Sequence, residues 1–167
     1  VNPAASEVCN GIDDDCNGLT DDGLNFLTYY VDGDGDGYGA GVGTSSCSPI
    51  AGSVTVDGDC NDALASVNPA AVEACNGIDD DCDGDTDDDD QNVTGQATWY
   101  ADADGDTYGD VNVSQLACSQ PLGYVSNNTD CDDANAAINP AATEVCNNVD
   151  DDCDGSTDEG LTFANYY

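Results

Sequence analysis

The 167-residue chain contains no lysine, no arginine and no histidine. Salt bridges between side chains are therefore excluded. Its 36 Asp and Glu residues leave a formal net charge of −36 at pH 7. Two carboxylates about 4 Å apart repel by roughly 4 kcal/mol at an effective dielectric near 20. Compact packing of so many acids requires cations to offset the charge. The same absences remove most catalytic chemistry. Neither His nor Lys is present to activate a Ser or Thr nucleophile or to steady an oxyanion. Only a paired-carboxylate glycosidase could be built, and a sparse core offers little concave pocket for a sugar. The chain reads as no enzyme. Nucleic acid and anionic membranes are repelled by such a surface.

Methionine is absent, and there are one Trp and two Phe, so the core is small and needs covalent or metal staples. No apolar run approaches the ~18 residues of a membrane span, and no direct membrane insertion is expected. There is no secretory leader, and the chain starts at Val1 without Met, which reads as processing or truncation.

Ten cysteines are present. Zinc-binding thiolates are the rival to disulfides, but the cysteine motifs are packed with Asp, which suits hard cations. Disulfides are expected, in an extracellular or cell-surface setting. A disordered acidic tail is disfavoured because the acids are phased with Gly and Cys.

The phasing is an internal repeat. Val1-Asn2-Pro3-Ala4-Ala5 recurs at Val67 to Ala71 and, with Ile138 leading, at Ile138 to Ala142. Each copy precedes a Glu (Glu7, Glu73, Glu144) and a C-x6-C block: Cys9 to Cys16, Cys75 to Cys82, Cys146 to Cys153. Tyr30 to Asp36 recurs as Tyr100 to Asp106, and Cys47 and Cys60 match Cys118 and Cys131. The organisation expected is half a repeat at 1–23, full repeats at 24–90 and 91–160, and an orphan strand at 161–167. The fold class expected is a small, mostly irregular repeat architecture of short β-hairpins and helical turns, stapled by disulfides and calcium loops. Thr28–Val31 and Thr98–Ala101 read as strands, with Ser53–Val56 and Gly123–Ser126 as partners. Asn2-Pro3, Asn68-Pro69 and Asn139-Pro140 read as helix starts. The first half repeat holds only Cys9 and Cys16, so the pairing expected is Cys9–Cys16, Cys75–Cys82 and Cys146–Cys153, leaving Cys47–Cys60 and Cys118–Cys131.

Asp32, Asp34 and Asp36 before Gly37 form the first half of an EF-hand-type loop, with the Tyr38 carbonyl at position seven. Its copy is Asp102, Asp104 and Asp106, with Thr107 in place of Gly and Tyr108 next. Neither copy has a Glu at position twelve. Asp59 and Asp62 around Cys60, and Asp130 and Asp133 around Cys131, are the candidates to complete the sites. The C-x6-C blocks carry related loops: Asp13, Asp15, Asn17, Asp21 and Asp22; Asp79, Asp81, Asp83, Asp87 and Asp88; Asp150, Asp152, Asp154, Asp158 and Glu159. About five structural Ca2+ sites are expected. Glu7, Glu73 and Glu144 either cap a neighbouring site or face solvent. Asn92, Asn112 and Asn127 are N-x-S/T sequons that could carry glycans.

The stretch Trp99 to Asp106, with Cys118, Thr129-Asp130-Cys131-Asp132-Asp133, Glu144-Val145-Cys146 and Asp150 to Gly155, resembles the bacterial metal-binding motif repeat of the MopE type. The acidic loops are also similar to thrombospondin type-3 and dockerin calcium loops. The resemblance implies metal binding and a secreted or surface location. Its copper label is not carried over, since His and Met are absent and the cysteines are expected to be oxidised. The function expected is a structural calcium-binding subunit of a surface filament, partnered with itself through the terminal strand. The alternatives are a fragment of a long multi-repeat surface protein and a metal-scavenging module.

Overall fold

The computed structural model describes residues 2–161. The strand expected at 161–167 falls almost wholly outside the described residues. The chain divides into two units, Val1–Asn92 and Val93–Tyr167.

Each unit is built on one three-stranded antiparallel sheet. In the first, β1 (Leu27–Val31) lies between β2 (Ala40–Ser46) and β3 (Ser53–Val54). In the second, β4 (Ala97–Ala101) lies between β5 (Ser114–Ala117) and β6 (Tyr124–Val125). The central strands are the β-branched and aromatic runs Leu-Thr-Tyr-Tyr-Val and Ala-Thr-Trp-Tyr-Ala, whose side chains suit a pleated, half-buried surface. The short partners match expectation: Tyr30 pairs with Val54 and Tyr100 with Val125.

Strands β2 and β5 were not legible. β2 reads Ala-Gly-Val-Gly-Thr-Ser-Ser, a composition that argues against a strand. Close approach explains Gly43. A Cβ there would stand 2.3 Å from Thr28 Cγ2 and 2.8 Å from the Tyr30 ring. The neighbouring strand's side chains take the place a side chain would need.

The helix starts do not propagate. Asn68 Oδ1 accepts the Ala70 N–H at 3.0 Å and its carbonyl accepts that of Ala71 at 2.9 Å, giving one capped turn. Asn2 and Asn139 do the same. Each turn is tethered to the acidic loop that follows it: the Asn2, Asn68 and Asn139 N–H groups donate to the Asp14, Asp80 and Asp151 carbonyls. A tethered single turn cannot extend into a helix. Among the described residues the one helix is a 3-10 turn at Asp87–Asp89.

Each unit has a small core. Among the described residues Tyr29 and Val67 are the buried apolar residues of the first and Ala117 and Ile138 those of the second, while Val42, Leu122 and Leu116 are exposed. Covalent staples supplement each core, but with partners other than those expected. Cys9 bonds Cys47, Cys60 bonds Cys82 and Cys131 bonds Cys153. Cys75 and Cys118 are disulfide-bonded as well. Cys16 and Cys146 are free and exposed. The five expected pairings, Cys9–Cys16, Cys47–Cys60, Cys75–Cys82, Cys118–Cys131 and Cys146–Cys153, are therefore corrected.

The reason is local geometry. Cys16, Cys82 and Cys153 each sit at positive φ, 59°, 61° and 58°. In the latter two copies that bend sets the sulfur against the segment after β3 or β6, where the Cys60 and Cys131 N–H groups approach it at 3.2 and 3.3 Å. Counting cysteines in the first segment assumed that it closes on itself, whereas Cys9 reaches the residue just after β2.

Candidate metal centres

In every C-x6-C block a glutamate two residues before the first cysteine is folded into the acidic loop. Glu73 is 0 % exposed. Its carboxylate accepts the Asp80 and Asp87 N–H groups, both at 2.8 Å. Glu144 accepts those of Asp151, Asp152 and Asp158 at 2.7, 3.2 and 2.6 Å. Glu7 accepts those of Asp14, Asp15 and Asp21 at 2.8, 3.0 and 2.9 Å. Backbone donors let a carboxylate stay charged out of water. Glu7, Asp15 and Asp22 bring one ligand atom each within 4.8 Å of one another, and so do Glu73, Asp79 and Asp81. The glutamates thus belong to the candidate ligand set. Their fixed place before each block was the signal that could have put them there.

The other block residues curl the loop. Asp13, Asp79 and Asp150 accept the N–H of Gly18, Gly84 and Gly155 at 2.9, 3.1 and 2.9 Å. Asp15, Asp81 and Asp152 accept those of Asn17, Asp83 and Asp154, which in turn accept those of Leu19, Asp85 and Ser156. Asp21, Asp87 and Asp158 turn to the start of the block. Their oxygens accept N–H groups from Asn10 and Gly11, Asn76 and Gly77, and Asn147 and Asn148, so they close the loop. Asp22 accepts from the Asn17 amide at 3.1 Å, while its counterpart Asp88 is exposed. Asp79 Oδ1 and Glu159 Oε2 are buried and have no hydrogen-bond partner.

The loops after β1 and β4 form a second kind of cluster. Asp32, Asp34 and Asp36 bring ligand atoms within 4.8 Å. Asp62, in the turn after β3, accepts the Gly33 N–H at 2.6 Å, and Asp133 accepts that of Ala103 at 2.8 Å. The Tyr38 and Tyr108 N–H groups donate to Asp36 and Asp106 at 2.8 and 2.9 Å. Gly37 takes φ 99°, and Thr107 adopts φ 82° at the same place. The turn survives the substitution, at the cost of a left-handed β-branched residue.

Electrostatics in both kinds of cluster point the same way. Loss of water raises the carboxyl pKa of Asp34, Asp104 and Asp130, and neighbouring carboxylates add to it: Asp36, Asp59 and Asp32 around Asp34, and Asp106, Asp133 and Asp102 around Asp104. Desolvation likewise raises Asp81, with Asp83, Asp90 and Glu73 contributing, and Asp152, with Asp154 and Glu144 contributing. Like charges held together raise one another's pKa, and a bound cation reverses this.

Of the sequons, Asn92 and Asn112 are exposed. Asn127 is built into the fold: its amide donates to the Thr107 carbonyl at 2.8 Å and accepts the Gly109 N–H at 3.2 Å.

Three segments of the chain, residues 1–22, 59–88 and 130–159, match the family Cu-binding_MopE, described as "Putative metal-binding motif". No curated protein and no solved structure matches. The chain carries three copies of this motif, and each copy contains one glutamate-centred block. The motif is a metal-binding and non-catalytic one, in line with a protein that is not an enzyme. Among the described residues no helix is long and apolar enough to cross a membrane.

The match corrects the expected cofactor. The family is named for copper, and the groups able to hold an ion include mixed sets, Cys9 with Asp21 and Cys47, and Asp130 with Cys131 and Cys153, beside the all-carboxylate ones. These findings point to a transition metal and not to five calcium ions. Setting copper aside for want of His and Met gave too little weight to oxygen donors, since copper(II) heads the divalent first-row affinity order at N, O and S sites alike. Cys9 is bonded to Cys47 and Cys131 to Cys153. With these disulfides formed, the two mixed sets offer only the carboxylates of Asp21 and Asp130.

Proposed function

We propose that the chain is a metal-binding repeat module that takes up divalent transition-metal ions, copper(II) foremost, in an extracellular or cell-surface setting. The observation that carries this is the coincidence of the three family-matched segments with three loops wrapped on a glutamate. In two of them a carboxylate oxygen, Asp79 Oδ1 or Glu159 Oε2, is buried with nothing to bond. A buried unpartnered acceptor costs about 1–3 kcal/mol, more when charged, and a cation removes that cost. Glu73, Asp79 and Asp81 are the donors in the second block, with Glu7, Asp15 and Asp22 in the first and Glu144, Asp152 and Glu159 in the third.

Disulfides support the location, because they persist in oxidising compartments. The filament reading rested on residues 161–167, which lie almost wholly outside the described residues, and the acidic clusters favour the metal-scavenging alternative instead. The repeat boundaries near residues 23 and 90 are part of the same proposal.

The test is calorimetric titration of the oxidised chain, with Cys16 and Cys146 alkylated, against Mn2+, Co2+, Ni2+, Cu2+ and Zn2+. Saturable binding that is tightest for Cu2+ is expected. A chain that binds none of these ions, or binds copper only before alkylation, would overturn the reading.

A further inference from the structure

The two clusters after β1 and β4 lie largely outside the family-matched segments, which resume only at residues 59 and 130. We infer that each is a second type of metal centre, an all-oxygen site for a divalent cation. Asp32, Asp34 and Asp36 would form it with Asp59 and Asp62, and Asp102, Asp104 and Asp106 with Asp130 and Asp133. The inference rests on the metal-binding reading above and divides it into two classes of site.

Acidic side chains on a turn are common without an ion, and the turn hydrogen bonds alone carry no such conclusion. What carries it is the buried member. Asp59 is 7 % exposed and Asp130 6 % exposed. One oxygen of each accepts a backbone N–H, from Asn61 at 2.7 Å and from Asp132 at 2.9 Å. The other oxygen, Oδ2, is buried without a partner. The same holds for Oδ2 of Asp34 and Asp36 and for Oδ2 of Asp104 and Asp106.

The two copies thus leave the same three oxygens bare at corresponding positions, although their loops differ in sequence at Gly37 and Thr107. A packing accident would not repeat atom for atom in two units. No chain cation can satisfy these oxygens, since the sequence has no Lys, Arg or His. In each copy the other oxygen of every bare carboxylate faces a backbone N–H. Oδ2 is thereby fixed in orientation, as a preorganised ligand would be.

Position, and not donor chemistry, separates these sites from the cysteine blocks: all donors in both are carboxylates, but three of the five in each set here lie outside the family-matched segments. Part of each site comes from the loop after the central strand. The rest comes from the segment after β3 or β6 that carries Cys60 or Cys131, which the Cys60–Cys82 and Cys131–Cys153 bonds pin to the following block. A metal here would therefore tie the unmatched half of each repeat to the matched half.

The experiment counts Mn2+ by electron paramagnetic resonance on the oxidised full chain and on D59N/D130N, with thermal melts of both in chelator and in Mn2+. Asn keeps the oxygen that accepts the Asn61 or Asp132 N–H and replaces only the bare one, so the metal-free variant should melt no lower than wild type. Expected are the loss of one Mn2+ per substituted site and a smaller Mn2+-induced rise in melting temperature. A second variant, D79N/E159Q, should keep both of these Mn2+ ions. Unchanged Mn2+ stoichiometry in D59N/D130N would overturn the composite site while leaving the copper-binding blocks standing. Absence of all metal binding in wild type would instead overturn the parent reading.

Discussion

The carboxylate of Glu73, wholly removed from solvent, accepts the N–H of Asp80 through Oε2 at 2.8 Å. Its other oxygen holds Asp87, so one side chain fixes two points of the acidic loop. Glu73→Gln keeps one acceptor but turns an amide NH2 toward a backbone donor. It should destabilise the metal-free protein by about 1–3 kcal/mol. Glu7 is half-buried, and Glu7→Gln should cost less. Chemical denaturation of both variants checks the order, and equal effects would contradict the hub assignment.

Non-reducing peptide mapping should recover Cys9–Cys47, Cys60–Cys82 and Cys131–Cys153, with Cys16 and Cys146 open to alkylation. Cys60 and Cys82 are separated by 22 residues. A loop of that size stabilises by about 3 kcal/mol in the chain-entropy model, so Cys60→Ser should lower stability by a comparable amount. Recovery of a Cys47–Cys60 peptide would refute the pairing.

Thr107 holds φ 82° where the first copy has Gly37 at 99°. A β-branched residue in the left-handed region costs about 1–2 kcal/mol. Thr107→Gly should therefore raise the melting temperature and tighten metal binding at the second copy. Gly37→Thr should do the reverse at the first. Melts of both variants, with and without Mn2+, decide this, and a lowered melting point for Thr107→Gly would be the contrary result.

The stabilisation conferred by metal should fade on acidification. Asp34, Asp104, Asp130, Asp81 and Asp152 have folded-state pKa values raised above 3.8 by desolvation and by adjacent carboxylates. In the metal-free protein the folded state then holds more protons than the unfolded state between 3.8 and the raised values. These groups accordingly favour folding more as pH falls through that window, and less as it rises. Bound metal needs the carboxylates charged, so its contribution has the opposite slope. The difference in melting temperature with and without Cu2+ should shrink as pH is lowered from 7 toward 4. A difference independent of pH would mean that these carboxylates are not ligands.

Sequence periodicity alone located the central strands and the acidic loops, because each is set by residues within a few positions, whereas the Asn-Pro helix starts form only single turns. Asp-x-Asp-x-Asp with a following turn residue makes its own hydrogen bonds locally, as at Asp34 with Asp36 and at Asp36 with Tyr38. The absence of Lys, Arg and His likewise fixed in advance that no side chain could neutralise the carboxylates.

Tertiary structure decided what depends on distant segments. Gly33 meets Asp62 across 29 residues, and Cys60 meets Cys82 across 22. No local pattern specifies such partners, and the nearest-neighbour rule for cysteines failed for that reason. The same holds for Glu73: its spacing before Cys75 is visible in the chain, but its burial exists only once the loop has closed around it. Which oxygens of Asp34, Asp36 and Asp59 stay bare follows from that closure too, since each carboxylate has two oxygens and only the folded backbone determines which of them it satisfies.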